Sequence, residues 1–239
     1  MLRNIIFIAF FALAGVSLIF PTGVAEAGNG NIITVNRPVS SSFSGIVLGI
    51  KGELRVYQSE TTDITISIDS NLEEFVQTEV VNGILEIKSS RRAGIRPTEN
   101  AITIHLPEIT KLAVSGTGKI FLIDTIFSES LHLEISGSGE IEGEVECANL
   151  SANISGSGKM TLTGKSQIAR FGASGTATYE CVQMEANRLN ITASGSVKAL
   201  VNAIEYLELR ISGTGNIQYR GSPIITLLDS GSAKISALN

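Results

Sequence analysis

Through the second half of the chain, apolar and polar residues alternate in short runs, and the runs recur. Leu131, Leu133 and Ile135 are separated by His132 and Glu134. The same pattern returns at Leu150, Ala152 and Ile154, at Leu189, Ile191 and Ala193, and at Leu207, Leu209 and Ile211. A period of two predicts strands with one buried face. Each run closes on a Ser-Gly pair, giving turn glycines at Gly116, Gly137, Gly156, Gly175, Gly195, Gly213 and Gly231, spaced by 21, 19, 19, 20, 18 and 18 residues. Four residues after each glycine an inward position returns, at Ile120, Ile141, Met160, Tyr179, Ala199, Ile217 and Ile235.

One such unit cannot cover its own apolar face, whereas stacked units bury it in a continuous column. Strands of successive units then pair in parallel about 4.8 Å apart. An antiparallel sandwich or barrel would show hairpin turns roughly every 8–12 residues. Identical turns recurring at one edge with a period of about 19 predict instead an all-β, single-stranded parallel β-solenoid. The turn glycine answers a need for positive φ or close backbone approach. The flanking Ser and Thr can bond turn amides and form ladders along the column.

Residues 28–110 carry strand patterns without the Ser-Gly period, and are expected to form irregular rungs that start the column. Ile46 to Ile50, Leu54 to Tyr57, Ile64 to Ile68 and Ile102 to Leu106 read as strands, and Leu85 to Lys88 follows the turn signal Asn82-Gly83. Residues 71–80 suggest a helical turn. Residues 89–100, with Arg91, Arg92, Gly94, Arg96 and Pro97, suggest an exposed loop. Residues 111–239 form the regular repeat, and 31–239 is expected to be one continuous domain. Asp229 at an inward position of the last copy marks the far end of the column.

The N-terminus has a different character. Arg3 precedes an uncharged run from Ile5 to Phe20, broken by Pro21 and followed by Ala25-Glu26-Ala27. That is the layout of a secretory signal peptide spanning 1–27, with cleavage expected after Ala27. The run is short for a membrane span of about 20 residues. An exported protein of the periplasm, cell surface or extracellular space is therefore expected, with no stable membrane span after cleavage.

Composition supports this picture. The chain has no Trp and 24 Gly, and its net charge is −5, which argues against nucleic acid and anionic membranes as partners. In an oxidising compartment, Cys147 and Cys181 would ordinarily pair. The repeat places them two rungs and a change of face apart, roughly 10 Å along the axis alone. That exceeds the ~7 Å Cα limit for a disulfide, so both are expected to be free thiols.

The residues that could carry chemistry are scattered. His105 and His132 fall on outward strand positions with no Cys or Asp in register. Glu134, Glu140, Glu142, Glu144 and Glu146 crowd one rung, with Asp124 nearby. They read as a solvated acidic face rather than the paired carboxylates of a glycosidase. The turns carry Ser and Thr where a Ca²⁺-binding β-roll carries Asp. No catalytic, cofactor or metal site is expected. One column, three residues after each turn glycine, reads Lys119, Glu140, Lys159, Thr178, Lys198, Asn216, Lys234. It forms either an alternating-charge ladder or a groove for acidic polysaccharide, and Lys119, Glu140, Lys159, Lys198 and Lys234 define the candidate binding face.

The serial Ser-Gly-Ser/Thr-Gly-x-Ile motifs at Ser115 to Ile120 and Ser136 to Ile141 resemble the GIN-domain family of auto-transporter adhesin head domains. The lead-in from Ile102 to Pro107 and the segment from Asn36 to Phe43 resemble it too. The resemblance covers nearly all of residues 31–239. It implies a right-handed β-helix akin to pectin lyases, export to the envelope and an adhesive role, without catalytic residues. The resulting expectation is a non-enzymatic exported protein that binds a glycan or an envelope or surface protein. The alternatives are a carbohydrate-active β-helix enzyme and a structural periplasmic scaffold.

Overall fold

The computed structural model describes residues 24–39 and 41–238. Most of the predicted signal peptide, residues 1–23, lies outside them. Glu26–Ala27 forms a short strand parallel to Ile95–Arg96, Gly28 N donates to Arg96 O at 3.0 Å, and Arg91 pairs with Glu26 at 3.2 Å.

Inward residues stack in register through the regular repeat, because every turn sits at the same place in its rung. Leu112, Leu133, Ala152, Phe171, Ile191, Leu209 and Leu227 form one parallel column; Val114, Ile135, Ile154, Ala173, Ala193 and Ile211 form the next. The strands run almost from turn to turn, as in Glu140–Ile154, Ser157–Ala173, Thr176–Ala193 and Ser196–Ile211. Unequal repeat lengths are absorbed away from the turns, by register shifts between Thr161 and Thr163, between Cys181 and Glu185, and between Ala186 and Arg188. The chain is therefore a parallel β-solenoid with rungs of about 19 residues. A single hydrophobic core runs through it, from Phe43 to Ile217.

The turns stack backbone on backbone. The amides after the glycines donate to the glycine carbonyl of the preceding rung: Ser157 N to Gly137 O at 2.8 Å, Thr176 N to Gly156 O at 2.7 Å, Ser196 N to Gly175 O at 2.7 Å. A Cβ on Gly175, Gly195 or Gly213 would lie 2.2, 2.1 or 2.0 Å from that carbonyl oxygen. Of the two needs read from sequence, close approach is the one common to this column. Positive φ occurs there only at Gly156 among the described residues.

Side-chain volume is balanced across the turn. Gly158 follows Ile154, Ala177 follows Ala173, Val197 follows Ala193 and Gly215 follows Ile211. A Cβ on Gly158 would press on Ile135 and Ile154 at 2.9 and 3.0 Å. Large residues before the turn thus require glycine after it, which keeps the interior close-packed.

The first third folds differently from a simple succession of rungs. Gly45–Leu48 and Glu53–Gln58 pair in parallel with Lys111–Val114 and Lys119–Leu122 on one side. On the other side they pair in parallel with Ile84–Ser89 and Asn100–Leu106. Later residues therefore lie outside earlier ones. Three antiparallel contacts close this end: Ile32–Asn36 with Asp63–Asp69, Asp63–Asp69 with Asn100–Leu106, and Val76–Val81 with Ile84–Ser89. The last pair turns at Asn82-Gly83, both at positive φ (52° and 75°), as the turn signal requires. The helical turn expected over 71–80 is only the 3₁₀ turn Glu73–Phe75, after which the chain is strand. Within 89–100, Ile95 is buried and paired rather than exposed.

At the other end, Ile224–Asp229 and Ser232–Ala237 form the last rung. The backbone of Asp229 occupies the inward register opposite Ile211; its side chain lies outside the described ones. Ile224 and Leu228 are exposed there, at 65% and 56%.

Candidate binding faces of the solenoid

The lysine column stacks as the period requires, with Lys119, Glu140, Lys159, Thr178, Lys198, Asn216 and Lys234 each opposite the next. Its charges are partly spent on one another. Lys119 pairs with Glu140 at 2.8 Å, and Lys159 reaches diagonally to Glu180 at 2.7 Å. Hydrogen bonds to these carboxylates raise both lysine pKa values. Glu180 was not singled out in the sequence, because its partner lies one rung away and two positions along. A shallow hollow of about 340 Å³ beside the column includes Lys119, Glu140, Lys159 and Thr178.

Several of the acids nearby are likewise partnered. Glu134 lies 3.3 Å from Lys111 and 3.6 Å from His132, Glu146 lies 2.9 Å from Lys165, and Glu144 accepts from Thr125 Oγ1 at 3.1 Å. His105 differs from its expected setting. The antiparallel pairing sets Asp63 directly opposite it, with Oδ2 3.8 Å from Nδ1, and Tyr57 stacks on its ring at 4.6 Å. The expectation of no Asp in register assumed parallel rungs here. Among the described residues, no group of three or more His, Cys, Asp or Glu could hold a metal ion.

Both cysteines are free and buried. Cys147 is in register with Ser166, and Cys181 with Val201, so the two stand in different columns. Burial pushes the Cys181 thiol up to about 12 and raises that of Cys147. Neither is a reactive thiolate near neutral pH.

A second face emerges at the edge where each strand enters its turn. There a groove of about 520 Å³ crosses five rungs, from Ser155 through Ser174, Ser194 and Ser212 to Ser230. Four steps of the column make it roughly 19 Å long. The serine amides carry the ladder, as in Ser155 N to Ile135 O at 2.8 Å and Ser174 N to Ile154 O at 3.0 Å. Among these five hydroxyls only Ser212 Oγ donates within the described residues, to Ala193 O at 3.3 Å. The others face the groove as donors and acceptors. The sequence shows the serine column but not the concavity.

These features define a β-solenoid with stacked polar faces and a long open groove. The family model described as "Putative auto-transporter adhesin, head GIN domain" matches residues 42–223, and the chain belongs to that family. Solved structures agree. A "putative adhesin" from Bacteroides fragilis NCTC 9343 is 25% identical, with a TM-score of 0.81 over 89% of this chain and 99% of that one. A "putative lipid binding protein" from Parabacteroides distasonis ATCC 8503 is 22% identical, with a TM-score of 0.72 over 89% and 99%. A "putative adhesin" from Parabacteroides merdae ATCC 43184 is 18% identical, with a TM-score of 0.70 over 91% and 100%. These last two share the fold. No curated protein matches the chain. Among the described residues no helix is long and apolar enough to cross a membrane.

Proposed function

We propose that this chain is an exported, non-enzymatic binding protein of the cell envelope or surface, which holds an extended ligand against the outer face of its rungs. The observation that carries this reading is the serine-edged groove, open along five rungs, where the hydroxyls of Ser155, Ser174, Ser194 and Ser230 make no hydrogen bond among the described residues. A groove of that length suits a linear chain, a glycan or a segment of an envelope protein, better than a small molecule. The family description and the Bacteroides fragilis neighbour support adhesion. Of the acids that an enzymatic reading would recruit, Glu134, Glu140 and Glu146 are engaged by lysines.

Protease treatment of intact cells carrying the epitope-tagged full chain tests the reading. The expected result is a protein shortened at its N-terminus and digested from outside. Protection inside an intact envelope would remove adhesion and redirect the binding role to a periplasmic partner. Retention in the cytoplasm would overturn the proposal.

A further inference from the structure

Gly172 sits in the middle of an outward column that reads Glu134, Asn153, Gly172, Thr192, Arg210. Nothing in the backbone demands glycine there. The residue lies within the strand Ser157–Ala173, and its φ is not in the left-handed region. An added Cβ would meet only the Asn153 side chain, with Oδ1 at 2.3 Å, whose Nδ2 donates to Ser151 Oγ at 3.0 Å. Glycine weakens a strand interior and often marks a close approach; here the Asn153 side chain lies over it.

Beside it lies a notch of about 270 Å³, walled by Asn153, Arg170, Asn190, Thr192, Arg210 and Glu208. The floor is held from inside: Tyr179 Oη lies 2.5 Å from Gly172 O, and the Tyr179 ring stacks on Phe171 at 4.7 Å. Arg170 makes no ion pair among the described residues, while Arg210 is paired with Glu208. The two guanidinium-bearing positions stand two rungs apart, about 10 Å, with amides and a hydroxyl between them. The notch shares Asn153, Gly172, Thr192 and Arg210 with the serine-edged groove, so it is a side recess of that groove.

Resting on the binding role proposed above, we infer that the groove takes an acidic polysaccharide, one sugar carboxylate of which enters the Gly172 notch against Arg170. A planar guanidinium recognises a carboxylate through two parallel hydrogen bonds. The side-chain amides, Thr192 and the serine hydroxyls match the ring hydroxyls of the same sugar and its neighbours along the groove. The assignment differs from the lysine column, where Lys119 and Lys159 already have carboxylate partners.

Calorimetric titration of the purified mature protein with an alginate hexamer, with maltohexaose as neutral control and oligoglutamate as acidic peptide control, tests this. The expected result is binding of the uronate oligomer alone, weakened by NaCl. Arg170→Gln should weaken it about tenfold or more. Gly172→Thr, which fills the notch with a good strand former, should abolish binding while leaving the melting temperature unchanged or higher. Lys159→Gln, on the other face, should bind normally. Equal binding of maltohexaose, or full binding by Gly172→Thr, would overturn the notch and leave a glycan-binding groove standing. Preference for oligoglutamate, or no binding of any oligomer, would overturn the glycan assignment, while surface exposure of the protein is read independently.

Discussion

Each step of the column brings two turn glycines into contact, and the contact tightens along the chain. A methyl group at Gly137 would lie 2.4 Å from the carbonyl of Gly116, and one at Gly195 would lie 2.1 Å from that of Gly175. At Gly116 the nearest atom is 3.7 Å away, because the preceding rung is the irregular one. Gly195→Ala should therefore destabilise the protein by about 1–3 kcal/mol, the usual cost of forcing an extra carbon into a packed site. Gly116→Ala should change stability by less than about 0.5 kcal/mol. Thermal unfolding of the two variants checks this; equal losses would mean the glycines serve the local turn and not the stacking. The turn glycines were legible because seven copies share one neighbourhood. Gly172 was not, since an isolated glycine in a strand reads only as a weak strand.

The N-terminal end is held by a different device. Asp69 is fully buried and accepts from Gly30 N at 2.7 Å, Thr98 N at 2.8 Å and Thr98 Oγ1 at 2.7 Å. It thereby ties the leading segment, the antiparallel strand Asp63–Asp69 and the loop after Arg96 into one cap. Burial alone would raise its pKa, but the hydrogen bonds from Thr98 and Gly30 outweigh it and hold the carboxyl below its ordinary value near 3.8. A depressed carboxylate stabilises the folded state fully above the unfolded value and ceases to do so as pH falls through the folded one. Stability should thus drop below about pH 4 in the natural chain, and that part of the drop should vanish in Asp69→Ala. The variant should also be less stable at neutral pH by about 1–3 kcal/mol, through donors left unpaired. Denaturant unfolding at a series of pH values checks both. Asp69 was missed because it follows the alternating run Ile64, Ile66, Ile68 as an apparent end-of-strand polar residue. The antiparallel pairing was missed for a related reason: alternation reveals a strand and its buried face, but not the direction of its neighbour.

Taken as a whole molecule, the solenoid separates two surfaces that the sequence presents as equal columns. On the lysine side, Lys119 and Lys159 are satisfied by carboxylates on neighbouring rungs. On the side entering the turn, small and hydroxylated residues leave a continuous hollow, deepened at Gly172. The period alone places both columns; the ion pairs of Lys119 and Lys159 and the hollow along the serines tell them apart. The two ends differ as well, one closed by antiparallel strands around Asp69, the other presenting Ile224 and Leu228 on the last rung.

The groove is the central claim, and amide chemical-shift mapping of the purified mature protein titrated with the alginate hexamer tests it most directly. The account predicts perturbations along Ser155, Ser174, Ser194 and Ser212 and around Gly172, with the lysine column from Lys119 to Lys198 silent. Shifts confined to that column or to the last rung, or no shifts at all, would contradict it.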